Sequence, residues 1–248
     1  MHYLLWLIAS LFLAGRAMAI SVTPIVVDLE VAGTNSSATI TVTNPNVESL
    51  PVEVLVELIA IDETGTTVST TDALDDFIIL PPQTTIDPGG TQTFRIQYIG
   101  DPDIGQGQLY RFAVNQVPVD TPQEGAAQIQ IVYSITGLLT LSPLEADTAV
   151  RVAGTALVQD EEGANRASVT LHNDGNQHAY LSRGALTVRQ LDAAGETLWR
   201  ESLGAQRIER EIGFGIIPPG QARTFILPYD LPGSEGTISA EFDEGRQR

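Results

Sequence analysis

FIILPPQTTIDPGGTQTFRI (Phe77–Ile96), LYRFAVNQVPV (Leu109–Val119) and QIQIVYSITGLLTLSP (Gln128–Pro143) follow one another along the chain, and their reading decides the fold. The first is an apolar strand stopped by Pro81 and Pro82, followed by another that begins after the turn Asp87-Pro88-Gly89-Gly90. Proline cannot donate to a strand ladder, and Pro-Gly clusters punctuate strands. The last segment runs from Gln128 to Leu141 without a turn signal, well beyond the usual ~5–6 residues of a strand. A small domain's own sheet cannot cover all of such a strand, so part of it is expected to pair with another chain.

The same pattern continues on both sides. Ser37–Thr43 (SATITVT) and Pro51–Ile61 (PVEVLVELIAI) alternate polar and apolar residues, as half-buried strands do. Asn44-Pro45-Asn46 and Asp62-Glu63-Thr64-Gly65 supply the turns. Past Pro143, residues 144–148 form a short link and Ala149–Val158 starts a new strand. Val169–Asn173, the turn Asp174-Gly175-Asn176, and His178–Leu181 repeat the strand, Asn turn, strand order of Thr39–Val56. Ile216–Gln221 with Thr224–Leu227 likewise repeats the logic of Leu80–Ile96. No segment keeps a helical period. The fold class predicted is all-β, two β-sandwich domains in tandem over residues 20–143 and 144–243, with 244–248 as a tail.

Residues 1–19, MHYLLWLIASLFLAGRAMA, have an apolar centre from Tyr3 to Ala14 and end in Ala17-Met18-Ala19, the small-x-small pattern cut by signal peptidase. The reading is export with cleavage after Ala19, although the segment before Tyr3 carries no Lys or Arg. The apolar run is short for a bilayer span, and no later stretch is apolar enough for a membrane helix, so the mature chain is expected to be soluble.

Composition excludes several kinds of chemistry. There is no cysteine, which removes thiol catalysis and Cys-based metal sites, and all 13 cations are Arg, which removes Schiff-base and Lys-base mechanisms. The formal net charge is −18, and loss of Arg16 with the leader takes it to −19. Such a field repels nucleic acid and anionic membrane surfaces and favours solubility. His172 and His178, the only histidines past the leader, lack a third ligand and any HExxH spacing, and read as a turn-stabilising or surface pair. Asp75-Asp76 and Asp160-Glu161-Glu162 lack the alternating ligand positions of a calcium loop and read as solvated turns. No GxSxG, phosphate-binding Gly loop or nucleophile with a His partner is present. Neither catalysis, nor a cofactor, nor a metal is expected.

Taken together, PPQTTIDPGGTQTFRI (Pro81–Ile96), YRFAVNQVP (Tyr110–Pro118), LHNDGNQHAYL (Leu171–Leu181) and PPGQARTFILP (Pro218–Pro228) resemble the periplasmic chaperones of the chaperone-usher pilus pathway. The Tyr110-Arg111 pair resembles the archaic or alternative branches of that family. The resemblance covers nearly the whole mature chain and implies two immunoglobulin-like domains set in an L. It also implies a periplasmic location, a pilus or fimbrial subunit as partner, and an outer-membrane usher as a further one. In that family the last strand of the first domain is lent to a subunit that lacks its own final strand, a form of β-augmentation. On this resemblance Ile129, Ile131 and Tyr133 would enter the subunit's groove, with Ile135 as a fourth, alternating with Gln128, Gln130 and Val132. One departure stands out. The family clamps the subunit's terminal carboxylate with an Arg on the first strand and a Lys on the last, and those positions read Val26 and Leu138 here. Arg111, on the strand beside the donor strand, is the first candidate for the replacement cation and Arg95 the second. The rival expectation is an exported adhesion or envelope-structural module that lends no strand.

Overall fold

The computed structural model describes residues 19–118 and 132–245. Ten strands precede Pro143: β1 (Ser21–Thr23), β2 (Val26–Glu30), β3 (Ser37–Thr43), β4 (Leu50–Ile61), β5 (Thr67–Asp72), β6 (Phe77–Leu80), β7 (Gln83–Ile86), β8 (Thr91–Tyr98), β9 (Gln108–Gln116) and β10 (Ser134–Ser142). They form two facing sheets, β1-β3-β8-β6 and β2-β10-β9-β4-β5, with β7 pairing the start of β4. The first strand serves both sheets. β1 pairs β3, the chain turns at Pro24-Ile25, and β2 then lies parallel to β10.

Alternation explains most of the packing. Leu50, Val52, Val54 and Val56 of β4 point inward and meet Ile40, Phe94, Ile96 and Phe112 in a closed core. Beyond Glu57 the rule changes, because Ile59 and Ile61 lie on the opposite face and are also buried. The cover on that face comes from the second domain: Ile59, Ile61 and Leu109 cluster with Tyr180 and Ile216, and Val26, Leu138 and Phe214 pack against them. An apolar run on both faces thus marks where the sheet is covered twice.

The second domain has its own core, built on Val169, Leu171, Leu181, Val188, Ile208 and Leu227. Its strands are β11 (Val150–Gln159), β12 (Asn165–Asn173), β13 (Ala179–Tyr180), β14 (Ala185–Leu191), β15 (Thr197–Leu203), β16 (Ile216–Ile217), β17 (Ala222–Ile226) and β18 (Thr237–Asp243). They form the sheets β11-β12-β17 and β15-β14-β18 and the short pair β13-β16. A seven-residue helix, α1 (Ala205–Glu211), is set among these strands. It buries only Ile208, while Arg207 and Glu211 pair one turn apart on its exposed side, so it shows too little apolar period to be read from sequence.

The repeat seen in the sequence has a physical basis in two wholly buried asparagines. Asn44 Nδ2 donates to Ile86 O (3.1 Å) and Glu48 O (2.8 Å). Asn173 Nδ2 donates to Ile217 O (3.1 Å) and Gln177 O (2.7 Å). Each ties its Asn turn to the carbonyl that precedes a Pro-Gly turn and so satisfies backbone groups that would otherwise be buried unpaired.

Candidate functional site: an open strand edge leading to a cleft

β10 is paired along one side and only half paired along the other. Its ladder with β9 runs from Ser134↔Asn115 to Leu141↔Gln108. Its ladder with β2 covers only Leu138↔Val26 to Ser142↔Glu30. Among the described residues nothing pairs the β2 side of Ser134–Gly137.

Peptide direction shows which groups are left. Tyr133 O accepts from Gln116 N (2.8 Å), whereas Leu138 N donates to Ile25 O (2.8 Å). Peptide groups alternate sides along a strand, so odd-numbered residues face β9 and even-numbered ones face β2 or open space. The N–H and C=O of Ser134 and Thr136 therefore point out of the open edge. Gly137 marks its end. A Cβ there would stand 2.1 Å from Phe112 Cζ and 2.6 Å from Ile25 O, so only glycine lets β2 begin at this point.

Side chains follow the same parity. Leu139 and Leu141 lie in the core, and Ile135 packs half-buried on its rim. Tyr133, next on that face, is 46 % exposed. Ile129 and Ile131 lie outside the described residues.

At the end of the edge a cleft opens between the domains. One cavity of about 580 Å³ is lined by Pro24, Ile25, Val26, Tyr180, Arg183 and Phe214. The two positions where the resemblance implies a charged clamp, Val26 and Leu138, instead pack against the apolar interdomain cluster. Leu138 breaks the alternation of β10 for this reason.

The candidate cations fall in different places. Register puts Val26, Leu138, Arg111 and Glu57 in one row across the sheet, which sets Arg111 one strand from Leu138 on the cleft face. Its Nη2 and Nε donate to Glu57 Oε2 at 2.6 and 3.1 Å. Arg95 stands on β8 in the other sheet, where Nη2 donates to Ser37 Oγ (3.1 Å); the structure does not bring it to β10.

Sequence reasoning missed a polar network at the root of the strand. Asp28 Oδ1 accepts from Thr140 Oγ1 (2.7 Å) and Tyr180 Oη (2.6 Å), and Arg183 Nη2 donates to Asp28 Oδ2. The Arg183 guanidinium also stacks 3.9 Å from the centre of the Tyr180 ring. Burial raises the pKa of Asp28, but the hydrogen bonds from Tyr180, Thr140 and Arg183 outweigh it and hold the carboxyl below its usual range. The same burial, with the Asp28 charge beside it, raises the Tyr180 phenol. No local motif could reveal this network, because Asp28 lies 112 to 155 residues from the three side chains that donate to it.

Of the histidines expected as a turn-stabilising or surface pair, only His172 is at the turn. His172 Nδ1 lies 2.9 Å from Asp174 Oδ1 at the turn, whereas His178 is 2 % exposed and sits in the wall between the domains beside Gly107. Among the described residues no group of three or more His, Cys, Asp or Glu could hold a metal ion, and no helix is long and apolar enough to cross a membrane.

Comparison with known proteins agrees with this architecture. Residues 19–143 match the sequence model of the pili and flagellar-assembly chaperone, PapD N-terminal domain. A search of curated proteins returns no match. The Class 5 fimbriae chaperone CfaA superposes with a TM-score of 0.52 at 13 % identity, over 91 % of this chain and 99 % of that one. The CsuC-CsuE chaperone-tip adhesion subunit pre-assembly complex of Acinetobacter baumannii gives 0.51 at 14 % identity, over 92 % and 94 %. The SafB chaperone in complex with the Salmonella enterica SafA pilin gives 0.50 at 16 % identity, over 95 % and 96 %. At such identities the likeness establishes the two-domain immunoglobulin-like fold, and the matched first domain establishes the kinship: this chain belongs to the pilus-assembly chaperones, a family of folding assistants rather than enzymes.

Proposed function

We propose that this chaperone acts in the periplasm, after removal of residues 1–19, and captures a pilus or fimbrial subunit by lending it the open edge of β10 for later delivery to an outer-membrane usher. The observation that carries the reading is the juxtaposition at residues 133–137. Peptide groups of Ser134 and Thr136 face outward, and Tyr133 and Ile135 present apolar side chains at the rim of the core. A guest strand completing that edge takes its main-chain hydrogen bonds from the first pair and its apolar contacts from the second. Ile129 and Ile131 share the parity of Tyr133 in the sequence and would extend the inserting face. Each apolar side chain buried contributes roughly 1.5–3 kcal/mol, so three or four give about 5–10 kcal/mol. The solved complexes of CsuC with CsuE and SafB with SafA are relatives seen with a subunit bound.

The test is co-expression with a pilus or fimbrial subunit. The native chain should purify with it one to one from the periplasm, and Tyr133→Asp or Ile131→Asp should lose it while circular dichroism of the free chaperone stays native. If both variants retained the subunit at native yield, strand donation through this face would be refuted.

A further inference from the structure

We infer that Arg223, a buried charge that strand donation leaves unused, is a positioning residue that locks the second domain onto the β4–β5 turn and so sets the width of the interdomain cleft. Arg223 stands on β17 and is 8 % exposed. Its guanidinium is held by main-chain carbonyls. Nη1 donates to Ile216 O in its own domain (2.9 Å), while Nε and Nη2 reach across to Glu63 O (3.2 Å) and Thr64 O (3.4 Å) in the first domain's turn.

The turn is shaped to receive it. Gly65 sits at φ +92°, and a Cβ there would lie 2.2 Å from Arg223 Nη2, inside the space the guanidinium fills. Thr224 closes the contact, its N–H donating to Glu63 O (2.8 Å) and its hydroxyl to Glu63 Oε1 (2.5 Å).

Stiffness follows from burial. If the turn moved away, the guanidinium would lose two of its three acceptors at once and keep only Ile216 O, and a charge half-buried against Phe225 with fewer partners is costly. The contact is therefore docked or lost, with little between. Its position ties it to the site, because Arg223 and Leu138 line one cavity of about 450 Å³ together with Ile59, Ile61 and Phe214. Tyr180 and Arg183 line the neighbouring cavity of about 580 Å³, which shares Phe214 with it. The inference rests on strand donation only for the use made of the cleft, and its test involves no subunit.

Because the chain has no cysteine, one can be introduced in each domain without background, at the exposed Val47 and Leu198. Nitroxide labels there report the interdomain distance by double electron–electron resonance in the full protein, and fluorescence of Trp199 reports the fold of the second domain. The parent should give one narrow distribution. Arg223→Gln should widen and shift it with Trp199 emission unchanged, and Gly65→Ala should do the same from the other side of the contact. A distribution for Arg223→Gln matching the parent in mean and width would overturn the inference. Should Arg223→Gln fail to fold, Gly65→Ala decides alone: a widened distribution supports the lock, and an unchanged one refutes it.

Discussion

At the scale of the residue, His178 makes the clearest pH prediction. Burial pushes its imidazole from the ordinary 6.5 down to about 4, with the Asp28 charge pulling weakly the other way. The unfolded chain therefore binds a proton that the folded one refuses between these values, and stability must fall as pH falls from 6.5 to 4. At about 1.4 kcal/mol per unit the full loss is about 3 kcal/mol. Asp28, whose pKa is depressed below 3.8, acts in a lower window, losing its contribution only as pH falls further. Urea midpoints measured from pH 8 to 4 should be flat above 6.5 and decline below it, and His178→Gln should remove most of the decline. Arg111 supplies a second prediction. As the cation one strand from Leu138, it is proposed to receive the subunit's terminal carboxylate by exchanging Glu57 for it; a charge-assisted hydrogen bond contributes about 1.5–3 kcal/mol. Arg111→Ala should weaken subunit capture by roughly 10- to 100-fold in a competition pull-down, and an unchanged yield would remove Arg111 from that role. Nothing local marks Glu57 as the partner, because the pairing depends on the register of β4 against β9. The burial of His178 was hidden for the same kind of reason, since its wall is built from another domain.

At the scale of the element, β10 shows what a sequence can and cannot say. Of the strand expected over Gln128–Leu141, the structure shows Ser134–Ser142, with Val132 and Tyr133 outside the ladder and residues 128–131 outside the described residues; the inward parity of Ile135 accords with the inserting face that the resemblance implied. The direction of its peptide groups was not legible, since that requires knowing that Leu138 N meets Ile25 O and that pairing with β2 begins only at Leu138. Leu138 looked like a fault in the alternation and is a contact with the second domain. The direction of the peptides yields a test by proline, which lacks the N–H and is tolerated on an edge but not in a ladder. Thr136→Pro removes a donor from the open side and should abolish subunit capture with the free protein still folded. Ile135→Pro removes a donor to β9 and should lower the urea midpoint of the free protein. If Thr136→Pro captured the subunit as well as the native chain, the open edge would not be the pairing surface.

At the scale of the whole molecule, the two domains enclose one functional corner. The first supplies the half-paired strand, and the second covers the other face of its sheet through Tyr180, Phe214 and Ile216 and anchors its root by the hydrogen bonds of Tyr180 and Arg183 to Asp28. The strand therefore stays rigid where it leaves its partners, and rigidity before binding lowers the ordering cost of association. The formal charge of −18 helps keep a molecule with an open edge from pairing with its own copies. The central claim is that another chain completes this edge, and amide hydrogen exchange followed by NMR, with and without the co-purified subunit, tests it residue by residue. In the free protein the Ser134 and Thr136 amides should exchange fast and those of Ile135 and Leu139 slowly; in the complex, Ser134 and Thr136 should become as protected as their neighbours. Fast exchange at Ser134 and Thr136 in a complex shown to be one to one would contradict the account.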